Sequence, residues 1–490
     1  MSRLSSSLVV AGIASFALAT SAASQFSASE YAQRRGALLG KLPDAVVLAL
    51  GAHEPAQDYL SFYQTPSFNY LTGLLEPGAA LIMTKSRGIT SATLFVEPRE
   101  PSREIWVGAR LGVEGATQRT GIHARDVSDF GNVLDSLART GLPIYVVGDF
   151  GGEEIGDHAA LTPDQQFVAA LRRQHPGLVV KAATAQIEQL RGTKSPTELA
   201  QIRKAGEITA SAEEAAMRAL RPGMNEYEIQ ALIEYTFRHS GADRPSFASI
   251  VGSGPNATTL HYNADNRVIQ PGDMVVMDIG ASYAGYAADV TRSIPASGTY
   301  SPEQRAVYQI VRDAQAAAER QARLNMRAQL MSDSATAVLA AGLTRIGLIE
   351  SPGATYDCDL GGQTVQCPQY QLFYPHALGH GIGLEVHDPE QFYYTQTIGP
   401  GSAFTIEPGL YIRADVLDVL PDTPRNRAIK EHLRSAVERY RNIGVRIEDD
   451  YIATTGGVER ISRAPREIGE IETIMRASGQ AGAGRISPRR

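Results

Sequence analysis

The residues best equipped for chemistry crowd into one stretch, Tyr374-Pro-His-Ala-Leu-Gly-His-Gly-Ile-Gly-Leu-Glu-Val-His-Asp388, which holds His376, His380 and His387. Imidazoles at this spacing can share a helix face, but Gly379, Gly381 and Gly383 each cost about 1 kcal/mol against alanine in a helix. A loop or irregular strand is therefore expected. Ala377 follows His376, so the His-Glu-x-x-His pattern by which a helix presents zinc ligands is missing. A metal held here needs carboxylates from elsewhere in the chain.

Candidates for those carboxylates interrupt apolar, strand-like runs. Asp278 ends Met274-Val-Val-Met-Asp278, Asp289 lies in Tyr286-Ala-Ala-Asp-Val-Thr-Arg292, Glu407 in Phe404-Thr-Ile-Glu-Pro408, and Glu448 in Gly444-Val-Arg-Ile-Glu448. A buried carboxylate is costly unless it is paired or binds a cation. Singly, Asp278 or Asp289 can pair with Arg292; together they ask for a shared cation. Arg446 and Glu448 fall on one face of a strand, where side chains repeat every two residues. Four carboxylates and His380 make a mostly oxygen shell, which favours Mn²⁺ over thiolate-seeking metals and also admits Zn²⁺, Co²⁺ or Fe²⁺. That charge exceeds what one divalent ion balances. Two ions about 3.5–4 Å apart, bridged by carboxylates and a water, fit it and generate hydroxide at neutral pH.

Elements must bring these residues together from far apart in the chain. Residues 24–185 alternate short β-rich runs, Val46–Leu50, Leu81–Thr84, Thr93–Val96 and Ile144–Val147, with helical stretches, and read as a small α/β domain. Residues 186–476 form a second domain. Ser195-Pro-Thr-Glu198 opens a helix to about Leu220, Asn225-Glu-Tyr-Glu228 opens one to about His239, and Ser301-Pro-Glu-Gln304 opens a third. Ser246–Gly252 reads as a strand. A helix pair precedes each strand cluster, which suggests two similar halves. Residues 477–490, rich in Gly, Ser and Arg, read as a disordered tail.

A net charge of −7 leaves no basic footprint for nucleic acid. The first residues combine Arg3, an apolar run from Leu8 to Ala19 and Ser21-Ala-Ala23, which reads as an export signal, residues 1–23, placing the mature protein in the periplasm or outside the cell. That run falls short of the roughly 20 residues of a spanning helix, and no later stretch is long and apolar enough. Only two cysteines occur, Cys358 and Cys367, and in an exported chain a disulfide between them is expected.

Asp278, Asp289, His380, Glu407 and Glu448, at intervals of 11, 91, 27 and 41 residues, resemble the metal ligands of the metallopeptidase family that includes Xaa-Pro aminopeptidase, prolidase and methionine aminopeptidase. The preceding region, with Phe68-Asn-Tyr-Leu-Thr-Gly73 and Trp106-Val-Gly108, is similar to the N-terminal domain of the proline-specific branch. The resemblance implies an α+β pita-bread catalytic domain, a curved antiparallel sheet backed by helices, behind a smaller α/β domain. It implies a dimetal Xaa-Pro aminopeptidase that hydrolyses the bond between an N-terminal residue and a following proline by attack of a metal-bridging hydroxide. Prolidase, restricted to the dipeptide, is the close alternative; a metal-free hydrolase or a binding module on the same fold would lack ligands that this chain retains. A homodimer or homotetramer is also implied.

By the same resemblance, Asp278 chelates one metal, Asp289 and Glu448 bridge both, and His380 and Glu407 complete the other, with Glu407 also the general base. His261 matches a residue that meets substrate and departing amine, His376 one that lines the proline pocket, and His387 one that stabilises the tetrahedral gem-diolate. Tyr411 and Arg446 match residues that orient the ligands. Two features depart from the pattern. Ser67 stands where many relatives place an Asp that helps hold the substrate's N-terminus, and Arg413–Arg441 reads as an insertion with a short helix near Ala428–Tyr440.

Overall fold

The computed structural model describes residues 26–57, 59–148 and 161–481. The expected export signal lies outside them, as do residues 482–490.

Among the described residues, the N-terminal domain is built on one mixed six-stranded sheet. Its strands run in the order His123–Asp126, Ile89–Val96, Ala80–Ser86, Ala45–Leu50, Ile144–Val147, Val180–Ala182. Ala45–Leu50 pairs antiparallel with Ala80–Ser86 and parallel with Ile144–Val147. A central strand covered on both faces reads as an unbroken apolar run, and this one does: Val46 and Leu48 pack into the core on one face, Val47 and Ala49 into the core on the other.

The two domains meet around a buried cation. Arg34 lies with its guanidinium 4.3 Å from the Tyr70 ring and 4.8 Å from the Phe26 ring, and 3.5 Å from Glu198 of the next domain. Glu30 accepts from the Ser195 hydroxyl at 2.7 Å. Ser195 also begins the helix Pro196–Ala219, closing a capping box with Glu198. The same device opens Glu226–His239 from Asn225 and Glu228, and Pro302–Glu319 from Ser301 and Gln304. These helices pack with Gln329–Arg345 over one large apolar core, against the strands that carry the site.

The strands of the second domain are antiparallel. Val290–Pro295, Met274–Ile279 and Ile250–Ser253 form one group, Ala403–Ile406, Asp449–Thr454 and Gly457–Arg460 another, and Gly409–Ile412 pairs with Ile443–Arg446. The strand expected over Ser246–Gly252 begins later, at Ile250, because Arg244–Pro245 pairs instead with the hairpin strand Ala281–Tyr283. The insertion contributes a longer helix than expected, Pro424–Tyr440, capped by Thr423. It packs beside the hairpin Thr355–Leu360 and Gln363–Pro368, which a Cys358–Cys367 disulfide closes. Thr423 donates to Asp357 at 2.6 Å, and Asn426 exchanges bonds with the Asp357 backbone. The final helix, Ile468–Ala481, takes in residues 477–481, which the composition had assigned to the tail.

Candidate metal centre

Glu407 and Glu448 sit at matching breaks in the strands. The chain leaves Ala403–Ile406, passes Glu407 and enters Gly409–Ile412; the partner chain segment leaves Ile443–Arg446, passes Glu448 and enters Asp449–Thr454. Asp278, near the end of Met274–Ile279, pairs with Thr291, and Asp289 immediately precedes Val290–Pro295.

The histidine stretch is irregular, as its glycines require. Gly381 bridges both Asp388 and Phe404. A Cβ at Gly379 would lie 2.2 Å from the Thr405 carbonyl oxygen, and one at Gly381 would lie 2.3 Å from that of Asp388. This close approach sets His380 against the carboxylates. Its Nε2 lies 3.4 Å from Asp289, 3.5 Å from Glu407 and 3.9 Å from Glu448. Ligand atoms of Asp289, His380 and Glu448 all fall within 4.8 Å of one another.

Three observations fit these residues to divalent cations. Asp278 Oδ1, Asp289 Oδ1 and Glu448 Oε1 are buried and have no hydrogen-bond partner. His380 Nδ1 lies 3.1 Å from the Gly381 carbonyl, so its N–H donates there and the Nε2 lone pair faces the carboxylates. Burial, with His387 nearby, pushes its pKa down to about 4, keeping the imidazole neutral. In contrast, burial and mutual repulsion push the Asp289 and Glu448 carboxyls well above their usual range, and burial raises Glu407 to about 8. Such a cluster ionises at neutral pH only beside added positive charge. Carboxylate and imidazole donors without thiolate suit a hard or borderline divalent ion.

The second layer is specific. Arg446, buried, bonds Asp278 through Nη2, Thr291 at 3.1 Å through Nε and the Tyr411 hydroxyl at 2.8 Å through Nη1. Tyr411 in turn donates to His376 Nε2 at 2.9 Å, leaving His376 Nδ1–H for the Ala377 carbonyl at 2.8 Å. His376 Nδ1 is 3.8 Å from Glu407, and burial, with Arg446 nearby, lowers its pKa to about 4. The rings of His387 and His380 lie 4.1 Å apart. His261 lies on an exposed loop, close enough to His376 to oppose its protonation.

Some of the site was not read from the sequence. Arg292 pairs with neither Asp278 nor Asp289; it is fully buried against Asp449 at 2.8 Å and against four backbone carbonyls. Thr291 went unnoticed, although its hydroxyl holds Glu448 Oε2 at 2.6 Å. Its place two residues after Asp289, on an inward strand face, was the available signal. Asp450, whose carboxylate accepts from the Asp289 N–H at 3.2 Å, was also missed. Ser67 accepts from Arg191 at 3.1 Å, and Arg191 is shared with Glu385 and Asp388 beside His387.

Residues 200–455 match Metallopeptidase family M24, and residues 31–145 match the aminopeptidase P N-terminal domain. The chain is 32% identical to Xaa-Pro aminopeptidase of Escherichia coli strain K12, over 93% of this chain and 99% of that protein. It is also 32% identical to Xaa-Pro aminopeptidase of Haemophilus influenzae, over 91% of this chain and 97% of that one. Among solved structures it resembles a variant of E. coli aminopeptidase P in complex with substrate, with TM-score 0.76 and 30% identity over 93% of this chain and 99% of that one. Proline aminopeptidase P II from Yersinia pestis is similar, with TM-score 0.75 and 30% identity over 92% of this chain and 100% of that one. Matched along its catalytic domain and along its N-terminal domain, the chain belongs to metallopeptidase family M24.

Proposed function

We propose that the protein is an exported, dimetal Xaa-Pro aminopeptidase that releases an N-terminal residue followed by proline from peptides. The observation that carries this reading is the convergence of Asp278, Asp289, His380, Glu407 and Glu448, with three orphaned carboxylate oxygens, in a chain that spans 99% of the E. coli Xaa-Pro aminopeptidase.

Asp278, Asp289, His380, Glu407 and Glu448 would hold two divalent ions, Asp278 serving one, His380 and Glu407 the other, and Asp289 and Glu448 both; this donor set suits Mn²⁺ and also admits Zn²⁺ or Co²⁺. When bound, the ions polarise the scissile carbonyl and acidify the attacking water. Glu407, with its carboxylate 3.5 Å from His380 and 3.8 Å from His376, takes the proton of that water and passes it to the departing proline nitrogen. His387, beside His380, donates to the oxyanion that appears only in the transition state. His376, locked by Tyr411 and flanked edge-on by Tyr374 at 4.9 Å, walls the proline ring. His261 meets substrate and leaving amine from its loop. Ser67 brings no charge to the substrate's free amine.

Export is supported by the Cys358–Cys367 disulfide, since such bonds persist in oxidising compartments. Among the described residues no helix is long and apolar enough to cross a membrane. A homodimer or homotetramer is supported by the helix Pro101–Val107, which buries none of its residues and presents Ile105 and Trp106 at 83% and 79% exposure. Assaying Xaa-Pro, Xaa-Pro-Yaa and Xaa-Ala-Yaa with Mn²⁺, Zn²⁺ and Co²⁺ tests the reading. Cleavage of Xaa-Pro-Yaa over Xaa-Ala-Yaa is expected; hydrolysis of dipeptides alone would make the enzyme a prolidase.

A further inference from the structure

Away from the metal centre, another buried carboxylate gathers donors. Glu226, in the first turn of the helix Glu226–His239, is fully buried. Its Oε1 accepts from the Ser253 N–H at 2.7 Å, the Ser253 hydroxyl at 2.6 Å and the Asn256 amide at 3.2 Å. Its Oε2 accepts from the Tyr262 hydroxyl at 2.8 Å and the Arg267 N–H at 2.9 Å. The helix does not need this residue as a cap, because Asn225 and Glu228 already supply one.

All of these donors come from the segment 253–267, which carries His261. Tyr262 is its immediate neighbour in the chain. Arg267 extends the network, donating from Nη1 to the Ser253 hydroxyl at 2.6 Å and to Asp273 at 2.5 Å. Beyond His261 the loop is pinned a second time. Asp265, held at a positive φ of 42°, accepts from the Val251 N–H at 2.9 Å. The exposed imidazole therefore stands on a loop whose base is fastened from inside the protein.

We propose that Glu226 is a positioning residue for the peptidase reaction, fixing His261 through Tyr262. The inference rests on the role of His261 given above. A carboxylate is required because every partner donates; an amide would turn an N–H₂ group against one of those donors. The phenol of Tyr262 transmits the position along one peptide unit to His261, which touches the substrate, whereas Glu226 does not.

Steady-state kinetics on an Xaa-Pro-Yaa tripeptide, with metal content measured on the same samples, test the inference through Tyr262→Phe, Glu226→Gln, His261→Ala and the double variant Tyr262→Phe/His261→Ala. Tyr262→Phe and Glu226→Gln should each lower kcat/KM by about tenfold, the factor that one lost hydrogen bond to a charged group represents. Metal content should equal that of the wild type, and Tyr262→Phe should cost nothing further once His261 is Ala. An equal loss from Tyr262→Phe with and without His261, or reduced metal content, would overturn the proposal. So would wild-type kinetics in Tyr262→Phe alongside an impaired His261→Ala, and that outcome would leave the role of His261 standing. An unimpaired His261→Ala would remove that role and the proposal with it. If Glu226→Gln does not fold, Tyr262→Phe and the double variant decide alone.

Discussion

The two walls of the site are built differently. Asp278, Asp289 and Glu448 lie in or directly beside strands and are almost fully buried; Arg446 backs Asp278, Thr291 backs Glu448, and the backbone N–H of Asp289 is fixed by donating to Asp450. His261 and His387 stand on loops and are exposed. His376 and His380 lie between these extremes, half-buried on an irregular segment that glycines press against Thr405 and Asp388. Burying several charges is costly unless each is held by fixed partners or a cation. Groups that meet a peptide need an open path. On the proposed reading the strand wall governs whether metal is held, and the loop wall governs how well bound metal is used.

Substitutions on each wall sharpen that contrast. On the proposed reading Glu407 serves both, as ligand and as base, so Glu407→Ala should lower kcat more than about 10³-fold, read with a tripeptide at saturating Mn²⁺. Arg446→Ala removes the cation facing Asp278 and should weaken metal binding about 10–100-fold, read by titration of activity with Mn²⁺. His387→Ala should lower kcat by about 10²-fold while metal content stays at the wild-type level. A near wild-type kcat there would remove the loop wall's catalytic role.

Smaller effects belong to stability. With metal chelated, burial holds the Glu407 pKa near 8, above its ordinary 4.5. The sign follows from proton linkage: its contribution to stability is complete below pH 4.5 and is lost as pH rises through about 8. His376, lowered from 6.5 to about 4, behaves oppositely, its contribution present above pH 6.5 and lost as pH falls through about 4. The chelated protein should thus lose thermal stability between pH 6.5 and 8, and Mn²⁺ should restore it, in melting scans with and without chelator. Reduction of Cys358–Cys367, which closes only a short hairpin loop and involves none of the site residues, should cost about 2.5 kcal/mol at most and leave kcat unchanged.

What was legible in the sequence follows the same division. The candidate ligands stand out because a carboxylate inside an apolar strand run is costly alone, and the helix starts because Ser195, Asn225 and Ser301 carry their capping partners three residues on. The disulfide could be expected because the chain has only one pair of cysteines. Long-range choices among equivalent partners were not legible. Nothing local says that Arg292 faces Asp449, some 157 residues away, instead of the adjacent Asp289. Thr291 and Asp450 look like ordinary strand residues until the two halves of the domain are brought together. Short strands were also misjudged, since Ser246–Ser249 has the composition of a strand and its neighbours pair with two different partners.

Metal stoichiometry tests the central claim most directly. After reconstitution with Mn²⁺ and removal of free ion, elemental analysis of the wild type should give about two ions per chain. Asp289→Asn, which weakens a proposed shared ligand, should fall clearly below that while His387→Ala does not. Fewer than about one ion per chain in the wild type, under conditions where Zn²⁺ and Co²⁺ also fail to bind, would contradict the account.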